Sequence, residues 1–120
     1  MSSGRPLSES LEDGRRLFNA GRFFEAHERW EEAWLRESGK SRLLLQGLIQ
    51  IAAGFLKARQ GNAGAAVRLL EAGAARVAAA GPPAELTAFC GAVRHAALRL
   101  QESGKEAVAC PPLPPLEGGA

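Results

Sequence analysis

A chain of 120 residues has room for one domain and one hydrophobic core, which excludes a two-domain organisation. With 46% hydrophobic but only 6% aromatic residues, that core is aliphatic and alanine-rich; abundant alanine, few β-branched residues and no sustained apolar–polar alternation argue against strands. Fifteen Lys and Arg among thirteen acids leave a net charge of +2 scattered along the chain, which disfavours a nucleic-acid partner, because phosphates select a clustered basic patch.

Met1 to Leu7 lacks the apolar stretch of a secretory signal. The most apolar run, Leu43 to Leu56, is too short to span a bilayer and contains Gln46 and Gln50. A cytoplasmic protein with no membrane association is expected. Cys90 and Cys110 are too few for a disulfide framework and have no second Cys or His at metal-finger spacing, so both are read as free thiols.

Residues 1–8 read as an N-terminal arm, 9–103 as a helical domain and 104–120 as a disordered Pro/Gly-rich tail. Ser8 or Ser10 caps a first helix over 9–20, with Leu11, Gly14, Leu17 and Phe18 on one face and Asn19-Ala20-Gly21 ending it. A second helix over 22–37 places Phe23, Ala26, Trp30, Ala33 and Trp34 in one stripe and closes at Gly39. The third, 41–60, is apolar around most of its circumference, the mark of a helix in the middle of a bundle. The fourth, 63–80, presents Ala66, Leu69, Leu70, Gly73 and Val77, and Gly81-Pro82-Pro83 stops it. The fifth, 84–102, closes the bundle through Leu86, Phe89, Cys90, Val93, Ala97 and Leu100. Pro111-Pro112-Leu113-Pro114-Pro115 lacks amide donors and is excluded from the core.

Asn19 to Ala26 and Arg59 to Ala66 echo each other, each placing glycine in a tight turn and alanine on the next helix. The expected fold is therefore all-α: a compact bundle of about five helices, built from two tetratricopeptide-like hairpins plus a closing helix.

Polar residues on apolar faces supply the candidate site. His27 lies at the edge of the core stripe beside Phe23 and Trp34, with Glu31 one turn on and Glu28 near Phe24 and Leu35. Partial burial of His27 and Glu31 follows, whereas Glu25, Arg29 and Glu32 point more to solvent. On the third helix Gln46, Gly47, Gln50 and Gly54 form a narrow stripe whose small residues let a neighbour approach. If that neighbour is the second helix, Gln46 and Gln50 meet His27 and Glu31. Such a cluster is open to four readings: a satisfied polar network fixing helix register, a small-molecule or anion pocket, a divalent-metal site on His27 and Glu31 without the Glu-x-x-His repeats of di-metal bundles, or acid/base chemistry by Glu28, Glu31 and His27. Trp30 and Trp34 read as core with an indole N–H reaching a polar partner, or as an aromatic binding surface, Arg42 as a cap on the second helix or an anion ligand, and the proline run as a tail or a polyproline ligand.

The run Phe18-Asn19-Ala20-Gly21-Arg22-Phe23-Phe24-Glu25-Ala26-His27-Glu28, then Trp30-Glu31 and Trp34, Arg42, Leu45-Gln46-Gly47-Leu48-Ile49-Gln50 and Gly61-Asn62-Ala63-Gly64-Ala65 resembles the domain-of-unknown-function family numbered 309. This family comprises small all-helical prokaryotic proteins with relatives in plants. The resemblance covers about residues 9 to 80 and implies a helical fold, a bacterial source and importance for His27, Glu28, Glu31, Trp34, Gln46 and Gln50. It implies no reaction. At Ala53-Gly54-Phe55-Leu56 the chain departs from a segment that often carries a further aromatic or histidine, so no ligand role transfers there.

The leading expectation is a noncatalytic domain binding a small ligand or protein partner between helices two and three, with no resident cofactor. The alternatives are a metal-assisted hydrolase using Glu28, Glu31 and His27 with a divalent ion, and a tetratricopeptide-like adaptor. Self-association is left open.

Overall fold

The computed structural model describes residues 5–103 and 109–116, and over them the chain forms five helices: α1 Leu7–Asn19, α2 Phe23–Trp34, α3 Gly39–Arg59, α4 Ala63–Ala79 and α5 Ala84–Ser103. No strand occurs among the described residues, and no helix there is long and apolar enough to cross a membrane. Each helix packs chiefly against its neighbours in the chain, giving the expected all-α bundle. Residues 1–4, 104–108 and 117–120, which fall in the expected arm and tail, lie outside the described residues.

The two echoing segments make the same turn. Gly21 has φ +79° and Gly61 φ +83°, a conformation open to glycine at little cost. Behind each glycine the next amide reaches back to an orphan carbonyl, Arg22 N–H to Leu17 and Asn62 N–H to Lys57, both at 2.9 Å, which closes the helix end in a Schellman arrangement. Asn62 then opens α4, its side chain accepting from the Ala65 amide at 3.2 Å.

The first helix starts differently from expectation. Its N-cap is Pro6, whose carbonyl accepts the Glu9 and Ser10 amides at 3.1 Å, so Ser8 and Ser10 fall inside the helix and neither caps it. Pro6 supplies a fixed φ just ahead of the first turn, and Ser10 is buried.

The closest helix approach joins α3 and α4, which run antiparallel. Gly47 lies against Gly73 and Val77, and Gly54 against Leu70. A Cβ built on Gly47 would sit 2.7 Å from the Gly73 carbonyl oxygen, and one on Gly73 would sit 2.7 Å from that of Gly47. The small-residue stripe of α3 therefore faces α4, not α2 as expected, because only α4 offers a glycine opposite.

Between α1 and α2 the fit is of another kind. The indole of Trp30 lies flush on Gly14, where a Cβ would fall 2.0 Å from Nε1, and that N–H donates to the Leu11 carbonyl at 3.3 Å. Phe18 of α1 ties the remaining layers together. Its ring meets Phe23 of α2, Phe55 of α3 and Phe89 of α5 edge to face, with centroids 5.2 to 6.0 Å apart. Helices α1, α3 and α5 thus converge on one side.

That side is not open, which corrects the reading of the C-terminal segment as a disordered tail outside the core. Residues 109–116 pass along α1 as an extended strap, with Leu113 only 1% exposed and Leu116 also buried. Proline does fix φ and remove donors, as composition indicated, but a segment without helix can still bury its leucines when a groove is there to receive them.

Substituting Gly73→Ala should cost about 1–3 kcal/mol of unfolding free energy, the usual penalty of overpacking, read as a lower denaturant midpoint at unchanged slope. A midpoint within experimental scatter of the wild type would contradict the close crossing.

Candidate functional site

The six candidate residues divide between two surfaces. Helix α2 carries His27, Glu28, Glu31 and Trp34, and α3 carries Gln46 and Gln50. His27 is half-buried, its ring stacked on Phe24 with centroids 6.2 Å apart and planes 15° from parallel. Its Nδ1 is buried without a hydrogen-bond partner. Trp34 is half-buried under the Arg42 guanidinium, which lies 4.0 Å from the ring centroid, and its Nε1 is likewise unpaired.

No hydrogen bond from Arg42 to the α2 carbonyls occurs among the described residues, and its guanidinium lies over Trp34 instead. Its charge lies over the electron-rich face of the indole, an attraction worth about 0.5–1 kcal/mol at an exposed position. Trp30 follows the expectation of a core indole with a paired N–H, whereas Trp34 departs from it.

Glu28 and Glu31 are exposed, and neither forms an ion pair among the described residues. The expected burial of Glu31 does not occur, and Arg29, expected in solvent, is half-buried with an unpaired Nε. Gln50 turns the other way and accepts from Arg76 Nη1 of α4 at 3.1 Å. No side-chain hydrogen bond joins His27 or Glu31 to Gln46 or Gln50 among the described residues. The expected network across the α2–α3 seam is thus absent: the close neighbour of the glutamine stripe is α4, and α2 meets α3 through Phe23 on Phe55 and Trp34 under Arg42.

What α2 does present is a continuous outer stripe. Phe24, Glu28, Glu31 and Leu35 recur at helical spacing, with His27 on its flank. Phe24 is 56% and Leu35 69% exposed, two of the three large hydrophobic side chains in that state. Both belong to the second apolar strip that helical phase places beside Glu28, as the sequence indicates. No three His, Cys, Asp or Glu side chains gather at metal-binding distance among the described residues, so His27 and Glu31 have no third ligand.

Two clefts lie elsewhere, at the ends of the strap. One of about 710 Å³ is lined by residues including Leu7, Leu44, Leu86 and Leu116, and one of about 550 Å³ by residues including Phe18, Arg59, Cys110 and Pro112. Neither touches the candidate residues. Between them Asn19, which sequence reasoning treated only as part of a turn, grips the strap: its Nδ2 donates to the Leu113 carbonyl at 3.0 Å and its Oδ1 accepts the Leu113 amide at 2.8 Å. Arg15 donates to the same carbonyl at 3.4 Å while paired with Glu12 at 2.7 Å. Hydrogen bonding from Arg15 holds the Glu12 carboxyl down at about 2, helped by Arg16.

Residues 11–69, from the body of α1 into α4, match the model of the family described as Domain of unknown function (DUF309), and the chain belongs to that family. No curated protein and no solved structure matches it. All six candidate residues fall inside the matched stretch, as does Asn19.

Burial pushes the Cys110 thiol up to about 12, with Arg59 pulling weakly the other way. The folded state therefore favours the neutral thiol. Its contribution to stability is full below about pH 8.5, the range of a free cysteine, and is lost as pH rises toward 12. At pH 9, Cys110 should react with iodoacetamide roughly several hundredfold more slowly in the folded chain than in denaturant, as expected from its thiolate fraction. Equal rates would mean that the strap does not shield it.

Proposed function

We propose that this DUF309 chain is a noncatalytic binding module that docks a protein partner on the outer face of α2, rather than a small ligand in the α2–α3 seam. The observation carrying this reading is the stripe on which exposed Phe24 and Leu35 flank the unpaired carboxylates of Glu28 and Glu31. Exposed large hydrophobics in line on one helix are what a partner helix buries. The free carboxylates add a charge preference for a segment carrying Lys or Arg beside its apolar face.

The alternatives have less geometric support. Acid/base work by Glu28 and Glu31 calls for a water-excluding cleft, and these side chains stand on an open face. Small ligands favour concave sites, and the two clefts beside the strap do not include the six residues. The reading requires no resident cofactor. It is compatible with the adaptor alternative, with the docking face moved to α2.

A photo-crosslinking amino acid at position 35 identifies the polypeptide that meets this face, and calorimetry on the purified pair then measures it. Phe24→Ser with Leu35→Ser should weaken binding at least about tenfold, and Glu28→Lys with Glu31→Lys should do the same, each pair costing more than the roughly 1 kcal/mol that marks a hot spot. Helical content and melting temperature should stay within about 2 °C of wild type, since surface substitutions are nearly neutral. A partner whose affinity survives both pairs of substitutions, or a face that crosslinks to nothing, would refute the proposal.

A further inference from the structure

The groove where α1, α3 and α5 converge is occupied by the chain's own C-terminal segment, and the manner of that occupation has the chemistry of peptide recognition. Asn19 pairs with both the N–H and the C=O of Leu113, the two-point contact by which a carboxamide reads an extended backbone without regard to side chain. Arg15 adds a second donor to the same carbonyl. Specificity then lies in two leucines three residues apart, Leu113 and Leu116, both buried in the core. The prolines between and before them carry no N–H to leave unpaired, so the segment enters an apolar groove at little desolvation cost.

The described residues of the strap, 109–116, do not fill the groove. Open clefts of about 550 Å³ and 710 Å³ continue it at either end. Arg59 lines the one beside Pro111 and Pro112, with no acidic residue on that cleft among the described residues. A longer segment carrying an acidic residue ahead of its prolines would bring a carboxylate to Arg59, a contact that residues 109–116 do not supply.

We propose that this groove is a binding site for an extended proline-rich segment of a partner protein, of the form acidic residue followed by Pro-Pro-Leu-Pro-Pro-Leu, and that residues 110–116 are its internal competitor. The partner binds by displacing the strap, so its apparent affinity is the intrinsic affinity multiplied by the fraction of molecules whose groove is open. The site is separate from the outer face of α2 and stands whether or not that face docks a partner.

The test uses the full chain and a fluorescein-labelled synthetic peptide, Asp-Asp-Ser-Pro-Pro-Leu-Pro-Pro-Leu. Leu113→Ser with Leu116→Ser empties the groove, and this variant should bind the peptide at least about tenfold more tightly than wild type. Adding Asn19→Ala should return the affinity to the wild-type level or below, and a peptide with serine at both leucines should not bind. A folded double variant that binds no better than wild type, or that is indifferent to Asn19→Ala, overturns the proposal.

Should the double variant lose its helical circular dichroism, the wild type answers by itself. Excess peptide should accelerate alkylation of Cys110 and hydrogen exchange at Leu113 severalfold while leaving the amides of α3 and α4 unchanged. No acceleration at saturating peptide overturns the proposal. A wild type that is dimeric in light scattering and becomes monomeric with peptide would assign the groove to a second copy of the chain, and so overturn the reading of a different partner.

Discussion

The backbone crossing of α3 and α4 at Gly47 and Gly73 is the constraint on which the rest of the molecule depends. Each glycine would place a Cβ 2.7 Å from the other's carbonyl oxygen, so any side chain there forces the helices apart. Close approach lets Leu70, Val77 and Ile51 interdigitate with no exposure, where dispersion and burial act over many contacts at once. It also sets the direction of the Gln46 and Gln50 stripe, since a helix face committed to one neighbour is withheld from another.

From that crossing the other layers follow in order. Antiparallel packing of α2 on α3 stacks Phe23 on Phe55 at one end and seats Arg42 on Trp34 at the other. The Gly14 notch receives Trp30, and Phe18 then reaches α2, α3 and α5 from a single position on α1. A stack of helices joined mainly to their chain neighbours has an inner and an outer side. In this protein the inner side holds a strap of its own chain, and the outer side of α2 holds a stripe of apolar and acidic groups that stays exposed among the described residues.

The two surfaces differ in how they were legible. His27, Glu28, Glu31 and Trp34 lie on one edge and outer face of α2, as helical phase alone requires. Their expected meeting with Gln46 and Gln50 failed because phase within one helix says nothing about which neighbour that face will meet. Asn19 and Leu113 are 94 residues apart in the chain, and nothing local to either announces the contact. A proline run signals the absence of helix and sheet, and lack of regular structure was wrongly equated with lack of burial.

By itself the sequence determined five helices, their order and the two glycine turns that join α1 to α2 and α3 to α4, because periodicity, caps and positive φ are properties of short segments. It also determined most of the core stripe of each helix, although Leu17, Trp34 and Leu69 are only half-buried. Only the tertiary structure decided that the glycine stripe of α3 belongs to α4, that Trp34 pairs with Arg42, and that the C-terminal leucines are core. Those outcomes depend on contacts between segments distant in the chain, where the energy of burial is settled by the shape of the partner surface and not by the segment that enters it.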